Sequence, residues 1–245
     1  MAASDGTLRK RGLGWLYRAT QRFMTCDVSR LMVLERAAMR EIAVDQEARF
    51  RFLSPHDVES FADDLGNELT SEFSCRLAAG LDRCYAALIR GRLAGYIWLA
   101  SGSIEAEHNR GRTAASGVPL SFPANAVFVY KAFTREEYRG RRLYASLLAG
   151  AMRELSAAGV TRLITTADWI NTAAVAACRR LGFQELGKIG RYACGPCSLT
   201  FKPAEARRQG IRIGRKAQIV PRQFVRLKTS KDNFQTIEDI PLSAV

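Results

Sequence analysis

Residues 126–166 constrain the fold more than any other stretch. Residues 126–133 (AVFVYKAF) form a continuous run of strand-forming residues. A short polar stretch follows, and then leucines and alanines recur at helical spacing over 143–155, with Gly159 as the stop. A second strand pattern occupies 160–166. Strand, helix and strand in this order are a βαβ crossover, which needs a sheet with a helix packed on its face.

The remaining elements arrange themselves around this unit. Residues 49–53 alternate as a first strand. Ser54-Pro55-His56-Asp57 reads as an N-cap with proline at the first helical position. A helix is expected from there to about Leu65, and a second over 71–79. Residues 83–89 and 93–100 form a hairpin about Gly91. Residues 171–181 form an alanine-rich helix stopped by Gly182, and 183–189 and 197–201 are closing strands. The order β-α-α-β-β-β-α-β-α-β-β predicts an α/β (α+β) domain, a mixed sheet flanked by helices. Residues 101–125 carry no period and read as a long loop, of a length that is often functional.

The ends differ from the middle in charge. The chain of 245 residues has a net charge of +13, with +4 in residues 1–30, +9 in 202–231 and −3 in 232–245, so 31–201 contributes only +3. Over 8–35 the apolar residues Leu13, Leu16, Tyr17, Phe23, Leu31 and Leu34 lie at roughly helical spacing, with Arg9, Lys10, Arg11, Arg18 and Arg22 between them. That predicts one amphipathic basic helix or two short ones. It packs on the domain, or rests on a membrane surface, as the arginines and Trp15 permit. Residues 203–245 read as an extended basic arm with one helix at its start. The chain thus divides into a basic amphipathic segment (1–48), a central domain (49–201) and a basic extension (202–245).

Composition excludes several classes. Hydrophobic residues make up 47% and charged residues 25%, a globular balance that rules out wholesale disorder, collagen and coiled coil. The longest clean apolar run, 93–100, is far short of a membrane span. No apolar segment of signal-peptide type follows the start, and six cysteines are too sparse for a disulfide scaffold, so a cytoplasmic chain with reduced thiols is expected. The basic ends point to contact with something acidic: nucleic acid, an anionic membrane or an acidic partner.

Two segments carry chemistry. In Phe133-Thr134-Arg135-Glu136-Glu137-Tyr138-Arg139-Gly140-Arg141-Arg142-Leu143-Tyr144 a strand ends in a polar turn that runs into a helix. The free N–H groups of a helix start favour anions, glycine allows close approach, and arginine forks match phosphate oxygens. This is a candidate phosphate or pyrophosphate cradle; the other reading is a solvated basic helix start. About thirty residues on, Asn171 opens a helix rich in small residues that ends in Leu181-Gly182-Phe183. Asn171 reads as an N-cap in any case.

Together these segments resemble the GNAT acyltransferase superfamily, over roughly residues 49–201. Tyr138, Arg139 and Gly140 match its pyrophosphate loop, while its next two glycine positions hold Arg142 and Tyr144. Asn171, Ala174, Leu181, Gly182 and Phe183 match its second motif. The resemblance implies a mostly antiparallel mixed sheet with a V-shaped splay between the fourth strand (126–133) and the fifth (160–166). It implies acetyl-CoA as donor, pantetheine inserted in the splay, and the thioester carbonyl directed at backbone near Phe133 and Thr134. Backbone N–H groups of Arg139, Gly140, Arg141, Arg142, Leu143 and Tyr144 would hold the pyrophosphate, with Asn171 beside them. An amine would attack the thioester directly in a ternary complex, with no acyl-enzyme and no metal.

The family's tyrosine that often protonates the leaving thiolate is replaced here by Cys178. Cys178 is read as a small core residue, or as a proton donor; Tyr144 is the alternative acid. Asp168 is the first candidate for the general base. Glu136 and Glu137 are read as surface carboxylates. Tyr130 or Lys131 should face the site, and His108 is read as a solvated loop residue, with closure over substrate as the alternative. Cys194-Gly-Pro-Cys197 is one CxxC pair, too few ligands for a zinc site, and reads as a tight turn. The acceptor expected is a primary amine on a small molecule or sugar precursor. Two other readings stay open: a longer acyl donor on CoA or acyl carrier protein at a membrane surface, and an inactive fold that binds membrane or nucleic acid. Against nucleic acid, no recognition motif is present.

Overall fold

The computed structural model describes residues 25–109, 117–194 and 197–214. Eleven strands and five α-helices follow in chain order among them. They are β1 (Thr25–Glu35), β2 (Ala48–Phe52), α1 (Pro55–Ala62), α2 (Ser71–Ala78), β3 (Asp82–Ile89), β4 (Arg92–Ser101), β5 (Ser103–Ile104), β6 (Leu120–Ser121), β7 (Ala126–Thr134), α3 (Leu143–Ser156), β8 (Arg162–Asp168), α4 (Thr172–Leu181), β9 (Gln184–Cys194), β10 (Cys197–Phe201), α5 (Ala204–Arg208) and β11 (Arg212–Ile213). The main sheet has the order β10-β9-β1-β8-β7-β4-β3-β2. Every neighbouring pair is antiparallel except β7 and β8, the pair joined by the α3 crossover. The mixed, mostly antiparallel sheet with flanking helices is as expected.

Local chemistry explains the helix limits. At α1 the Ser54 hydroxyl accepts from the Asp57 N–H while the Asp57 carboxylate accepts from the Ser54 N–H, a capping box with Pro55 in the first turn. At α4 the Asn171 side chain accepts from the Ala174 N–H at 3.1 Å, and Gly182 closes the other end at φ +108°.

Three apolar clusters sandwich the sheet. One face meets α3 and α4 through Met32, Leu34, Val127, Val129, Leu147, Met152 and Leu163. The other face is covered in two halves. Trp98, Tyr96, Cys84 and Leu93 lie under α1 and α2. Leu31, Val33, Phe128, Ile164 and Ile189 pack with Ala206, Ile211 and Ile213.

Two expectations about the ends need correction. The helix expected through residue 35 is instead strand β1, at the heart of the sheet between β8 and β9. Leu31 and Leu34 fit a helical spacing, but Met32 and Val33 lie between them and all four are buried. Side chains that alternate between two buried faces make a continuous apolar run, the mark of a central strand. The rest of the predicted helix, before residue 25, lies outside the described residues. At the other end, the helix expected at the start of the extension is present, but 203–214 packs on the domain and is not an extended arm. It forms α5 and β11 and buries Ala206, Ile211 and Ile213. β11 pairs with β6 and β6 with β5, so the expected loop 101–125 contributes two strands to a small second sheet. Two-residue strands are too short to show a period. Residues 110–116 and 215–245 lie outside the described set, as do the two central residues of the CxxC turn; Cys194 and Cys197 are backbone register partners in the β9–β10 hairpin.

Candidate active site

The site begins where two parallel strands part. β7 pairs with β8 from Ala126 opposite Arg162 to Val129 opposite Thr165, and no further. The Thr165 hydroxyl donates to the Val129 carbonyl at 3.1 Å, at the last rung. β7 then continues to Thr134 and β8 to Asp168. This is the splay expected between residues 126–133 and 160–166. A cavity of about 510 Å³ fills the opening, lined among others by Val129, Thr134, Arg142, Tyr144, Asp168 and Asn171.

On its other edge β7 carries an extra residue. Trp98 of β4 lies opposite Lys131 and Leu99 opposite Val129, which leaves Tyr130 as the inserted residue of a bulge. Successive strand side chains normally point to opposite faces. Here Tyr130 and Lys131 both reach Phe73 of α2: the Tyr130 ring lies 6.4 Å from the Phe73 ring, and the Lys131 ammonium sits 4.7 Å over it. Lys131 also donates to the Glu68 carbonyl at 2.9 Å, and burial holds its ammonium below its usual pKa. Both residues line the cleft. The bulge has no sequence signature, because it exists only in the register between β4 and β7.

The turn from β7 to α3 is held from both sides. The Arg135 guanidinium bonds the Asn67 side chain at 2.9 and 2.8 Å and pairs with Asp64. Arg141 bonds Asp45 at 2.9 Å and Glu47 at 2.7 Å. Between these anchors the backbone turns through positive φ at Gly140 (+83°) and Arg142 (+61°). Arg142 is the N-cap of α3, no side chain caps this end, and no acid stands in the first turn. A helix start leaves its first N–H groups without intrahelical partners, and here they open on the cleft. Arg139, Gly140, Arg142, Leu143 and Tyr144 all line it. The Arg141 side chain does not; its pairing with Asp45 and Glu47 turns it outward. Arg139 lines the cleft and pairs with Glu136 at 2.8 Å on the exposed side.

Arg142 occupies a left-handed backbone position in which a side chain costs about 1 kcal/mol or more. Arg142→Gly should therefore raise stability by about 1 kcal/mol in a urea unfolding series, while removing a cation from the cleft. No gain in midpoint would show that Arg142 side-chain contacts offset the strain.

The three candidates for proton transfer are not equivalent. Tyr144, in the first turn of α3, lines the cleft, and its hydroxyl lies 3.7 Å from the Cys178 sulfur. Cys178, on α4, is fully buried and is not among the lining residues. Burial and the neighbouring thiol push the Tyr144 phenol well above its usual pKa, and burial also raises the Cys178 thiol. Of the pair, only Tyr144 opens on the cavity. Asp168 lines the cleft at the end of β8, and its Oδ1 accepts from the Ile170 N–H at 3.0 Å. Phe133 and Thr134 line it as well, with the Phe133 ring stacked on Tyr96 at 5.2 Å. The wall opposite is α4, where Ala173, Ala174 and Ala177 keep the gap wide. Glu136 and Glu137 are exposed, and His108 is not among the lining residues; its ring lies 6.3 Å from that of Tyr130. Among the described residues, no three His, Cys, Asp or Glu side chains converge as a metal site, and no helix is long and apolar enough to cross a membrane.

The model of the acetyltransferase (GNAT) family matches residues 37–183. No curated protein matches the chain. Among solved structures, a GCN5-related N-acetyltransferase from Kribbella flavida is 14% identical with a TM-score of 0.48, covering 75% of this chain and 65% of its own. An acetyltransferase of the GNAT family from Novosphingobium aromaticivorans is 18% identical with a TM-score of 0.45, covering 68% and 64%. An aminoglycoside acetyltransferase from an uncultured soil metagenomic sample, in complex with sisomicin, is 13% identical with a TM-score of 0.41, covering 57% and 90%. A protein from Drosophila, matched over 75% of this chain, is spanned over only 58% of its own length.

Proposed function

The chain belongs to the GNAT acetyltransferase family, and from that premise we propose that it transfers an acetyl group from acetyl-CoA to a primary amine of a small molecule or sugar precursor. One observation carries the reading: β7 and β8 stop pairing at Val129 and Thr165, and the gap they open leads to the uncapped start of α3. A gap between strands offers unpaired backbone to an extended, amide-bearing arm such as pantetheine, and the helix start offers N–H groups to a pyrophosphate. Arg139 and Arg142 add charge at that end. The primary-amine acceptor rests on the chemistry of the family.

In this reading the acceptor nitrogen attacks the thioester carbon, a C–N bond forms and the C–S bond breaks. Backbone N–H groups of the bulged strand between Tyr130 and Thr134 stabilise charge on the carbonyl oxygen. Asp168 takes the proton lost by the nitrogen, directly or through one water. Tyr144 donates a hydrogen bond to the departing sulfur.

Calorimetric titration of the full chain with acetyl-CoA tests the reading. We expect binding in the micromolar range, weakened at least ~10-fold in the Arg139→Ala/Arg142→Ala double variant, since charge-assisted bonds to phosphate are the strong ones. No heat of binding with the unsubstituted protein would overturn it; heat with long-chain acyl-CoA or acyl carrier protein alone would move the donor assignment there.

A further inference from the structure

Tyr130, the inserted residue of the β7 bulge, is tied to a buried ionic chain that reaches across three elements. Its hydroxyl donates to Asp82 Oδ2 at 2.7 Å. Asp82 opens β3 and its side chain is fully buried. The same carboxylate is gripped at both oxygens by Arg76 of α2, at 2.6 and 3.0 Å. The remaining guanidinium nitrogen of Arg76 donates to Glu105 at 3.1 Å. Phe73 closes the group from above, with its ring 5.0 Å from Trp98 and 6.4 Å from Tyr130.

We propose that Asp82 and Arg76 are positioning residues that lock the bulge at Tyr130 and thereby aim the backbone of residues 130–134 into the cleft. Pairing by backbone bonds alone does not specify which residue is inserted. A slip by one residue flips every following side chain to the other face. Such a slip in β7 would turn Lys131 away from Phe73 and re-aim the backbone N–H and carbonyl groups that face the cleft. The hydrophobic pattern of β7 opposes this weakly, because Tyr130, Lys131, Phe133 and Thr134 are only partly buried. A charge-assisted hydrogen bond to a carboxylate that is itself held bidentate fixes one residue in one place. The chain ends at Glu105, so the bulge is also connected to the segment before residue 110.

This inference rests on the reading of the cleft as an acetyl-CoA site, and two readouts keep the two apart. Tyr130→Phe in the full chain removes the hydroxyl and keeps the ring. Amide hydrogen exchange is followed over residues 130–134 without ligand. Thiol release from acetyl-CoA, with water as acceptor, is followed beside calorimetric affinity. We expect exchange in 130–134 to rise ~10-fold or more, as local opening replaces a locked bulge. Thiol release should fall ~10- to 100-fold, the cost of a small misplacement of reacting groups, while acetyl-CoA affinity stays within about threefold. Asp82→Asn, which keeps an acceptor oxygen for Tyr130, should lie between Tyr130→Phe and the unsubstituted protein in exchange. Exchange in 130–134 equal to that of the unsubstituted protein overturns the proposal. So does a loss of affinity that parallels the loss of rate. Failure of the unsubstituted protein to bind acetyl-CoA would instead overturn the functional reading, and the exchange comparison would still decide the role of Asp82 and Arg76.

Discussion

Replacing Tyr144 by phenylalanine should lower the rate of acetyl transfer about 100-fold and leave acetyl-CoA affinity within a few-fold. The variant keeps the ring that packs against the core beneath the cleft, so the folding midpoint should move little. The lost atom is the hydroxyl of a residue that lines the cavity, 3.7 Å from the Cys178 sulfur. A thiolate leaving group has a pKa near ~8.5, below that of any tyrosine, so full proton transfer from a phenol raised above its usual value is uphill. In the proposed reaction Tyr144 would therefore act by hydrogen bonding to sulfur as charge develops, at the low end of the ~10²–10⁴-fold range for a positioned acid. Because the phenol is shifted upward, it stays protonated throughout the neutral range, and no alkaline loss of rate below about pH 10 should arise from it. Cys178→Ala is the control: its sulfur is buried behind Tyr144, so it should cost stability more than rate. A Tyr144→Phe variant at half the original rate or better would remove Tyr144 from the mechanism.

Gly182→Ala should destabilise the protein by about 3 to 4 kcal/mol. Gly182 sits just beyond α4, where the Phe183 N–H returns to the Cys178 carbonyl and the Gly182 N–H to the Arg179 carbonyl. This is a Schellman closure, which needs a left-handed residue at that place. At φ +108° a side chain is strained at a cost of ~1–3 kcal/mol. An added Cβ would also lie 2.3 Å from the Ala38 carbonyl oxygen, closer than any real contact. That oxygen belongs to the connection after β1, which is itself bonded to α4 through the Arg40 N–H and the Leu181 carbonyl at 2.9 Å. Forcing the two apart adds a packing cost of ~1–3 kcal/mol. Gly159→Ala separates the two contributions. Its φ is +81° but the space beside it is open, so it should cost only about 1 kcal/mol. Equal losses in urea unfolding for the two variants would show that the Ala38 contact yields freely.

These two residues differ in what marks them in sequence. Leu181-Gly182-Phe183 was visible as a helix stop and as a family pattern, and its physical reason is the close passage of residue 38, which no local pattern reveals. In sequence Tyr144 stands out as a cradle residue and as a substitute for a missing tyrosine. Its contact with Cys178 joins α3 to α4, and helical spacing within either helix says nothing about it. The turn around Gly140 was legible because glycine, arginines and a following helix lie together in sequence. The positive φ of Arg142 was not, because an arginine there carries no mark of its backbone.

Sequence patterns mislead where burial is two-sided or elements are very short. β1 carries a helical pattern because two of its four central apolar residues fit a period of 3.6, and only the sheet buries all four. β5, β6 and β11 have two residues each and pair only with one another.

By itself the sequence determined the βαβ unit, the caps of α1 and α4, and the glycine turn at Gly140 that leads into α3, since each depends on residues within a few positions of one another. Tertiary structure decided where β7 and β8 part, which residue of β7 bulges, and which arginine turns away. Each of those depends on partners far along the chain: Thr165 across the rung from Val129, Asp82 beneath Tyr130, and Asp45, 96 residues from the Arg141 it holds outside the cleft.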